Sequence, residues 1–198
     1  MATCIILFAR LGHVFFYNWN YYQNHIPEII QLKMGGLSSH GGVIGLFIAA
    51  FIVSKVIKRK SFLWVLDVLA VPLLLGGSLI RFGNLFNQEI VGITTNSTFG
   101  IIFPLVDSIP RYPIQLVEGI TYFIIVLTCY FFERRNALIS KEGFMIGLVL
   151  IATLIPRFFI EFLKAPLSEN WIEAYISMGQ LLSLPLILIG FYLLKKAK

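Results

Sequence analysis

"FLWVLDVLAVPLLLGGSLIRF", residues 62–82, contains two charged side chains, Asp67 and Arg81, in an otherwise apolar run. A helix needs about 20 mostly apolar residues to cross the hydrocarbon of a bilayer, at about 1.5 Å of rise each. The run meets that length, and its reading decides the fold class. Five more runs follow the same rule, at 2–17, 41–57, 113–132, 144–163 and 175–194. The expectation is an all-α, polytopic membrane helical bundle of about six transmembrane helices. The first run is short and holds Arg10 and His13. Composition agrees: 58% of the 198 residues are hydrophobic and 13% are charged, against roughly 25% charged in soluble domains. No internal repeat or low-complexity tract divides the chain, so residues 1–198 read as a single membrane domain.

The net charge of +6 does not point to nucleic acid, because the basic residues cluster between the apolar runs. Lys55, Lys58, Arg59 and Lys60 follow the second run; Arg134, Arg135 and Lys141 separate the fourth and fifth; Lys195, Lys196 and Lys198 end the chain. These are ten of the sixteen basic residues, and alternating spans bring them to one side. Lysine and arginine accumulate in cytoplasmic loops, so these loops and both termini are expected in the cytoplasm. Segments 18–40, 83–112 and 164–174 then face outward, with Trp19, Tyr21, Tyr22 and Trp171 as interface anchors. These outer loops are expected to form a lipid-accessible cavity. Cys4 and Cys129 have neither metal-ligand nor disulfide spacing, and three residues before Cys4 cannot hold a lipoprotein signal. The sequon at Asn96 matters only in a glycosylating compartment.

Charged groups inside spans are costly and are functional candidates by default. Arg81 ends its span and is followed by Asn84, Asn87 and Glu89. It is either an arginine snorkelling to the interface or an anion site, since guanidinium offers phosphate a planar fork. His40 lies in "GGLSSHGG", residues 35–42. Either Ser38 or Ser39 caps a helix start there and the histidine is incidental, or glycines bend the chain at a cavity mouth and His40 acts as a base. Arg157 and Glu161 share a helix face, as an internal ion pair or as site residues, with Pro156 before them. Gln115 and Glu118 also share a face. Arg10 and His13 do likewise, with the same two readings, and Asp67 reads as snorkelling or paired with a lysine.

Taken together, these pieces resemble one family, the prolipoprotein diacylglyceryl transferases of bacterial inner membranes. "ARLGHVFFYN" (9–18) is similar to the end of that family's second span, and "GGLSSHGGVIG" (35–45) to its histidine-diglycine motif. "RFGNLFNQEIVG" (81–92) resembles its long arginine-glycine-asparagine signature. "PRYPIQLVEG" (110–119), "RFFIEFLKAP" (157–166) and "ISMGQLLSLP" (176–185) resemble later motifs in the same order. The resemblance covers nearly the whole chain. It implies transfer of an sn-1,2-diacylglyceryl group from phosphatidylglycerol to the thiol of a prolipoprotein lipobox cysteine. It also implies an extracytoplasmic site and no metal or organic cofactor. Arg81 corresponds to the family's phosphatidylglycerol-binding arginine, with Asn84 and Glu89 completing the signature. Gln115 and Glu118 join this substrate-binding set. His40 matches the motif histidine, a candidate base or a hydrogen-bond partner of the lipid glycerol. Arg157 and Glu161 match the arginine and glutamate of a later catalytic motif.

The chain also departs from the family's pattern. Tyr112 stands for a usual histidine, Ile114 and Val117 for a serine and a tyrosine, and Thr153-Leu154 for a Tyr-Gly pair. Ser39 replaces an aromatic residue, and this sequence starts at the counterpart of the second of the family's seven spans. The resemblance thus implies an active transferase, or alternatively a non-catalytic relative that binds phospholipid or prolipoprotein. A small transporter using intramembrane charges is a third class, but its inverted repeat is absent.

Overall fold

A computed structural model describes residues 1–30, 36, 38–57, 60–133, 141–165 and 177–197. Lys58, Arg59, Arg134, Arg135, Lys198 and Trp171, used above for orientation and anchoring, lie outside these residues. The chain forms two compact units, Met1–Val65 and Leu66–Lys198.

In the first unit, α1 (Ala2–Tyr17) leads into a single turn, α2 (Trp19–Tyr22), a 3-10 turn (Ile26–Ile30) and then α3 (Ser39–Val56). α1 and α3 cross where their backbones have no Cβ between them. A Cβ on Gly41 would strike the Phe8 carbonyl oxygen, and one on Gly45 would lie 2.8 Å from the Cys4 carbonyl oxygen. Gly41 and Gly45 are a small-xxx-small pair, the spacing that lets apolar helices approach closely. Ser38 caps α3: its Oγ accepts from the Gly41 N–H at 3.3 Å, and its own N–H donates to Ala9. Ser38 is thus the cap of this helix start, and Gly41 and Gly42 lie inside the first turn instead of at a bend.

Arg10, 2% exposed, straps the following loop to α1. Its Nε donates to the Ile29 carbonyl, Nη1 to Gly36 and Nη2 to Glu28. A buried guanidinium needs such acceptors. Gly36 sits at φ +78°, where a Cβ would also lie 2.5 Å from the His13 ring.

The second unit is built from α4 (Phe62–Phe86), α5 (Ile114–Glu133), α6 (Phe144–Ile160) and α7 (Met178–Lys196), with α6 running on into a 3-10 turn (Glu161–Leu163). Among the described residues, four helices are long and apolar enough to cross a membrane: Phe62–Phe86, Ile114–Phe132, Phe144–Leu163 and Gly179–Lys196. Ala2–Phe16 and Gly41–Val56 are apolar but shorter. The six runs read from the sequence all become helices, four of them of full crossing length. Ala70, Leu74, Tyr122, Val126, Cys129, Met145 and Val149 form a buried core joining α4, α5 and α6. α6 and α7 meet through Gly147 and Gly190, where a Cβ on either would lie 3.1 Å from the other's carbonyl oxygen.

Asp67 corrects its sequence reading. Among the described residues it pairs with no lysine; it caps a neighbouring helix. Its two carboxylate oxygens accept from the Gly143 and Ile146 N–H groups at 2.6 and 2.8 Å. The start of α6 is thereby tied beside the start of α4, because unpaired N–H groups at a helix start favour an anionic acceptor.

α4 ends in a Schellman turn. The Glu89 N–H bonds back to the Asn84 carbonyl and the Gln88 N–H to that of Leu85, with Gln88 at φ 56° in the place usually held by glycine. After it, β1 (Ile101–Ile102) and β2 (Pro110–Arg111) pair antiparallel. Residues 91–95 lie between β2 and the chain leaving α6. Gly92 N–H bonds to Tyr112 O, Ile93 N–H to Leu163 O, and Ala165 N–H to Val91 O. Gly92 is needed there, since a Cβ would strike Tyr112 O and lie 3.0 Å from Leu163 O.

Candidate active site

Four elements of the second unit converge on Glu118, whose side chain is fully buried. Glu118 faces α4 because α5 is glycine at the next position. Gly119 lets the helices close until a Cβ there would lie 3.2 Å from the Phe82 ring and 3.4 Å from Arg81 Cβ. Ser78 Oγ fixes the approach by donating to Gly119 O at 2.8 Å. Arg81 Nε then lies 2.8 Å from Glu118 Oε2. This is an ion contact without a directed hydrogen bond, since Oε2 accepts none.

The other carboxylate oxygen takes Lys164 Nζ at 3.2 Å, and Lys164 also reaches Glu161 Oε2 at 2.7 Å. Lys164 is held by its backbone as well, through its bridge to Gly92. Arg157 lies in the last turn of α6. It donates through Nη1 to the Tyr122 hydroxyl at 3.4 Å and lies within electrostatic range of Glu118 and Glu161. The internal Arg157–Glu161 ion pair does not form, because the nearer Lys164 takes the carboxylate. With Glu89 on the signature turn counted, three cations stand against three carboxylates, and Arg81, Arg157 and Lys164 are the groups that could meet an anion.

The signature turn closes one side. Asn84 Nδ2 donates to Glu89 Oε2 at 2.8 Å, and Gln115 Nε2 to the Glu89 carbonyl at 2.7 Å. Both amides thus direct an N–H to Glu89. Asn84 Oδ1, Gln115 Oε1 and Thr153 Oγ1 are buried polar atoms without a partner among the described residues, and such atoms are uncommon in a protein interior. Beside the cluster is a cavity of about 460 Å³, walled by Phe99, Ile101, Ile114, Val117, Ile160 and Leu163. It is apolar and contains none of the charged groups.

The structure thus brings Arg81, Asn84, Glu89, Gln115, Glu118, Arg157 and Glu161 into one neighbourhood. His40 has only its backbone described, in the first turn of α3 of the other unit. Sequence reasoning missed Lys164 and Tyr122. The signals available were spacing: Lys164 is three residues after Glu161, and Tyr122 four after Glu118.

Comparison with known proteins gives the family. The family profile described as prolipoprotein diacylglyceryl transferase matches residues 1–195. A protein of Chloroherpeton thalassium named phosphatidylglycerol–prolipoprotein diacylglyceryl transferase is 41% identical over 194 residues, covering 98% of this chain and 72% of the relative. A relative of the same name from Tolumonas auensis is 39% identical, covering 94% of this chain and 72% of its own length. One from Bacteroides fragilis is 38% identical over 95% of this chain and 72% of its own. The motifs, the helical fold and a match along nearly the whole length agree, and the chain belongs to the prolipoprotein diacylglyceryl transferase family.

Proposed function

We propose that this chain transfers the diacylglyceryl group of phosphatidylglycerol to the lipobox cysteine thiol of prolipoproteins, at a site facing the extracytoplasmic side of a bacterial inner membrane. The observation that carries the reading is the pair of arginines around buried Glu118, in a chain of this family. The thiol sulfur attacks the glyceryl carbon, a carbon–sulfur bond forms, and the carbon–oxygen bond to phosphate breaks. Glycerol phosphate leaves with the electron pair. Its phosphate goes from one negative charge toward two, which Arg81 and Arg157 stabilise. Asn84, Glu89, Gln115 and Glu118 shape the head-group site. The thiol proton goes to His40 or Glu161; a base matters because a free thiol has a pKa of about 8.5. The apolar cavity gives the acyl chains a side opening from the bilayer. Residues 1–198 act as one membrane domain in this reading, as the family match across both units supports.

The test is the full chain in phosphatidylglycerol vesicles with a lipobox peptide, read by mass spectrometry. A thioether adduct with equimolar glycerol phosphate is expected, and none with a peptide carrying serine for the cysteine. If the cysteine peptide gains no adduct, the transfer reading is wrong. The non-catalytic reading, a chain that only binds phospholipid or prolipoprotein, would take its place. What favours that alternative is Thr153, whose buried hydroxyl is unpartnered where the resemblance leads one to expect tyrosine.

A further inference from the structure

We propose that Tyr122 is a positioning residue for Arg157, the counterpart of what Glu118 is for Arg81, and that this pair on α5 sets the two guanidiniums around a single phosphate. The inference rests on the phosphate reading above and adds what aims the second arginine.

Four arginines of the described residues can be compared, and they fall into two kinds. Arg10 uses Nε, Nη1 and Nη2 on three carbonyls. Arg111 uses Nε and Nη2 on Asp107 and Nη1 on the Gly92 carbonyl. Both engage protein through all three nitrogens, as arginines that only hold a fold together should. Arg81 and Arg157 are not. Among the described residues, Arg81 contacts protein through Nε alone and Arg157 through Nη1 alone. Each guanidinium carries five N–H donors, so each is anchored at one corner, with the rest of its fork without a partner among the described residues.

The two anchors come from one helix face. Glu118 and Tyr122 are four apart on α5, about one turn or 5–6 Å along the axis. Tyr122 is 5% exposed, and its ring is fixed in the core with Leu74, Val126 and Val149. Its hydroxyl is therefore a stationary acceptor. It removes freedom from Arg157, a long side chain with several rotatable bonds, before any ligand arrives. A phosphodiester presents two non-bridging oxygens, one for each open fork, and such charge-assisted pairs are strong and directional. The bland alternative is a core tyrosine whose hydroxyl happens to find a partner, as buried tyrosines usually do.

Tyr122→Phe separates the two, because it keeps the ring and removes only the acceptor. The probes are a soluble short-chain phosphatidylglycerol, bound to detergent-purified full chain and followed by calorimetry, and the transfer assay. Loss of positioning predicts binding weakened about tenfold and kcat/KM lowered about 10–100-fold, since misplacement by about 1 Å costs on that order. Adding Tyr122→Phe to Arg157→Lys should change kcat/KM by less than about twofold, because the two residues act as a unit. A merely structural tyrosine predicts a lowered thermal midpoint, unchanged binding and additive effects. Binding within about threefold of the parent would overturn the inference even if transfer proceeds. A parent that binds the lipid but forms no adduct would overturn the transfer reading, and the binding comparison would still decide the role of Tyr122.

Discussion

A carboxylate with no solvent exposure, 2.8 Å from Arg81 and 3.2 Å from Lys164, cannot be exchanged for an amide without consequence. Removing one partner of a buried ion cluster leaves charge uncompensated, at about 3–5 kcal/mol. Glu118→Gln is therefore expected to lower the denaturation midpoint in detergent and also to weaken transfer; a midpoint equal to the parent's would show that the cluster is not the buried unit described. Arg81→Lys keeps the charge and loses the fork. Loss of one positioned donor to a developing anion typically costs about 10²–10³-fold, so transfer should fall by that order with folding intact. Parental rates in this variant would remove Arg81 from the site. Away from the spans, Asp107 has its carboxyl held below the ordinary 3.8, chiefly by hydrogen bonds from Arg111. The sign follows: the pairing's contribution is present above the ordinary value and is lost as pH falls through the lower, folded one. The Arg111 Nε resonance should titrate with a midpoint below 3.8, and a midpoint at or above it would contradict the pairing.

At the scale of elements, the glycines matter where backbones touch. Gly92 is the thinnest point of the three-way ladder that seats Lys164. Gly92→Ala should part residues 91–93 from 163–165, release Lys164 from Glu118 and cut transfer sharply, with the apolar core unchanged. Amide hydrogen exchange showing the Ile93 and Ala165 N–H groups still protected would rule this out. Gly41→Ala drives a Cβ onto Phe8 O at the α1–α3 crossing, and overpacking of this kind costs about 1–3 kcal/mol. Its effect should appear first as lost stability of the Met1–Val65 unit. These close approaches were only half legible in the sequence. Ser38 as a cap and Gly41 beside it could be read locally, whereas the partner of Gly41, Phe8 on another helix, could not. Arg157 and Glu161 show the same limit. Their spacing permits a pair, but Lys164 wins the carboxylate because the bridge at Gly92 holds its backbone next to it. Asp67 looked like a charge in search of a lysine until the start of α6 was seen beside it.

For the molecule as a whole, length and composition made the helices legible, since about 20 apolar residues have few other uses. The polar cluster was legible in its members but not in its wiring, which depends on which helix ends meet. The wiring also gives direction. Asp67 near the start of α4 holds Gly143 at the start of α6, so these ends lie together. Arg81 is fourteen residues beyond Asp67, and Arg157 fourteen beyond Gly143, which puts both arginines about 21 Å away toward the opposite ends of their helices. Lys141 lies just before Gly143, at the Asp67 end, while Ser97 lies in the loop beyond the arginines. Basic residues favour the cytoplasmic side, so the Asp67 end is predicted to face inward and the arginine cluster outward. In a background with Cys4 and Cys129 replaced by serine, a cysteine at Ser97 should react with a membrane-impermeant maleimide on intact cells whose outer barrier is opened. One at Lys141 should react only after the inner membrane is permeabilised. The reverse pattern would place the cluster on the cytoplasmic side, where an exported lipobox peptide could not reach it.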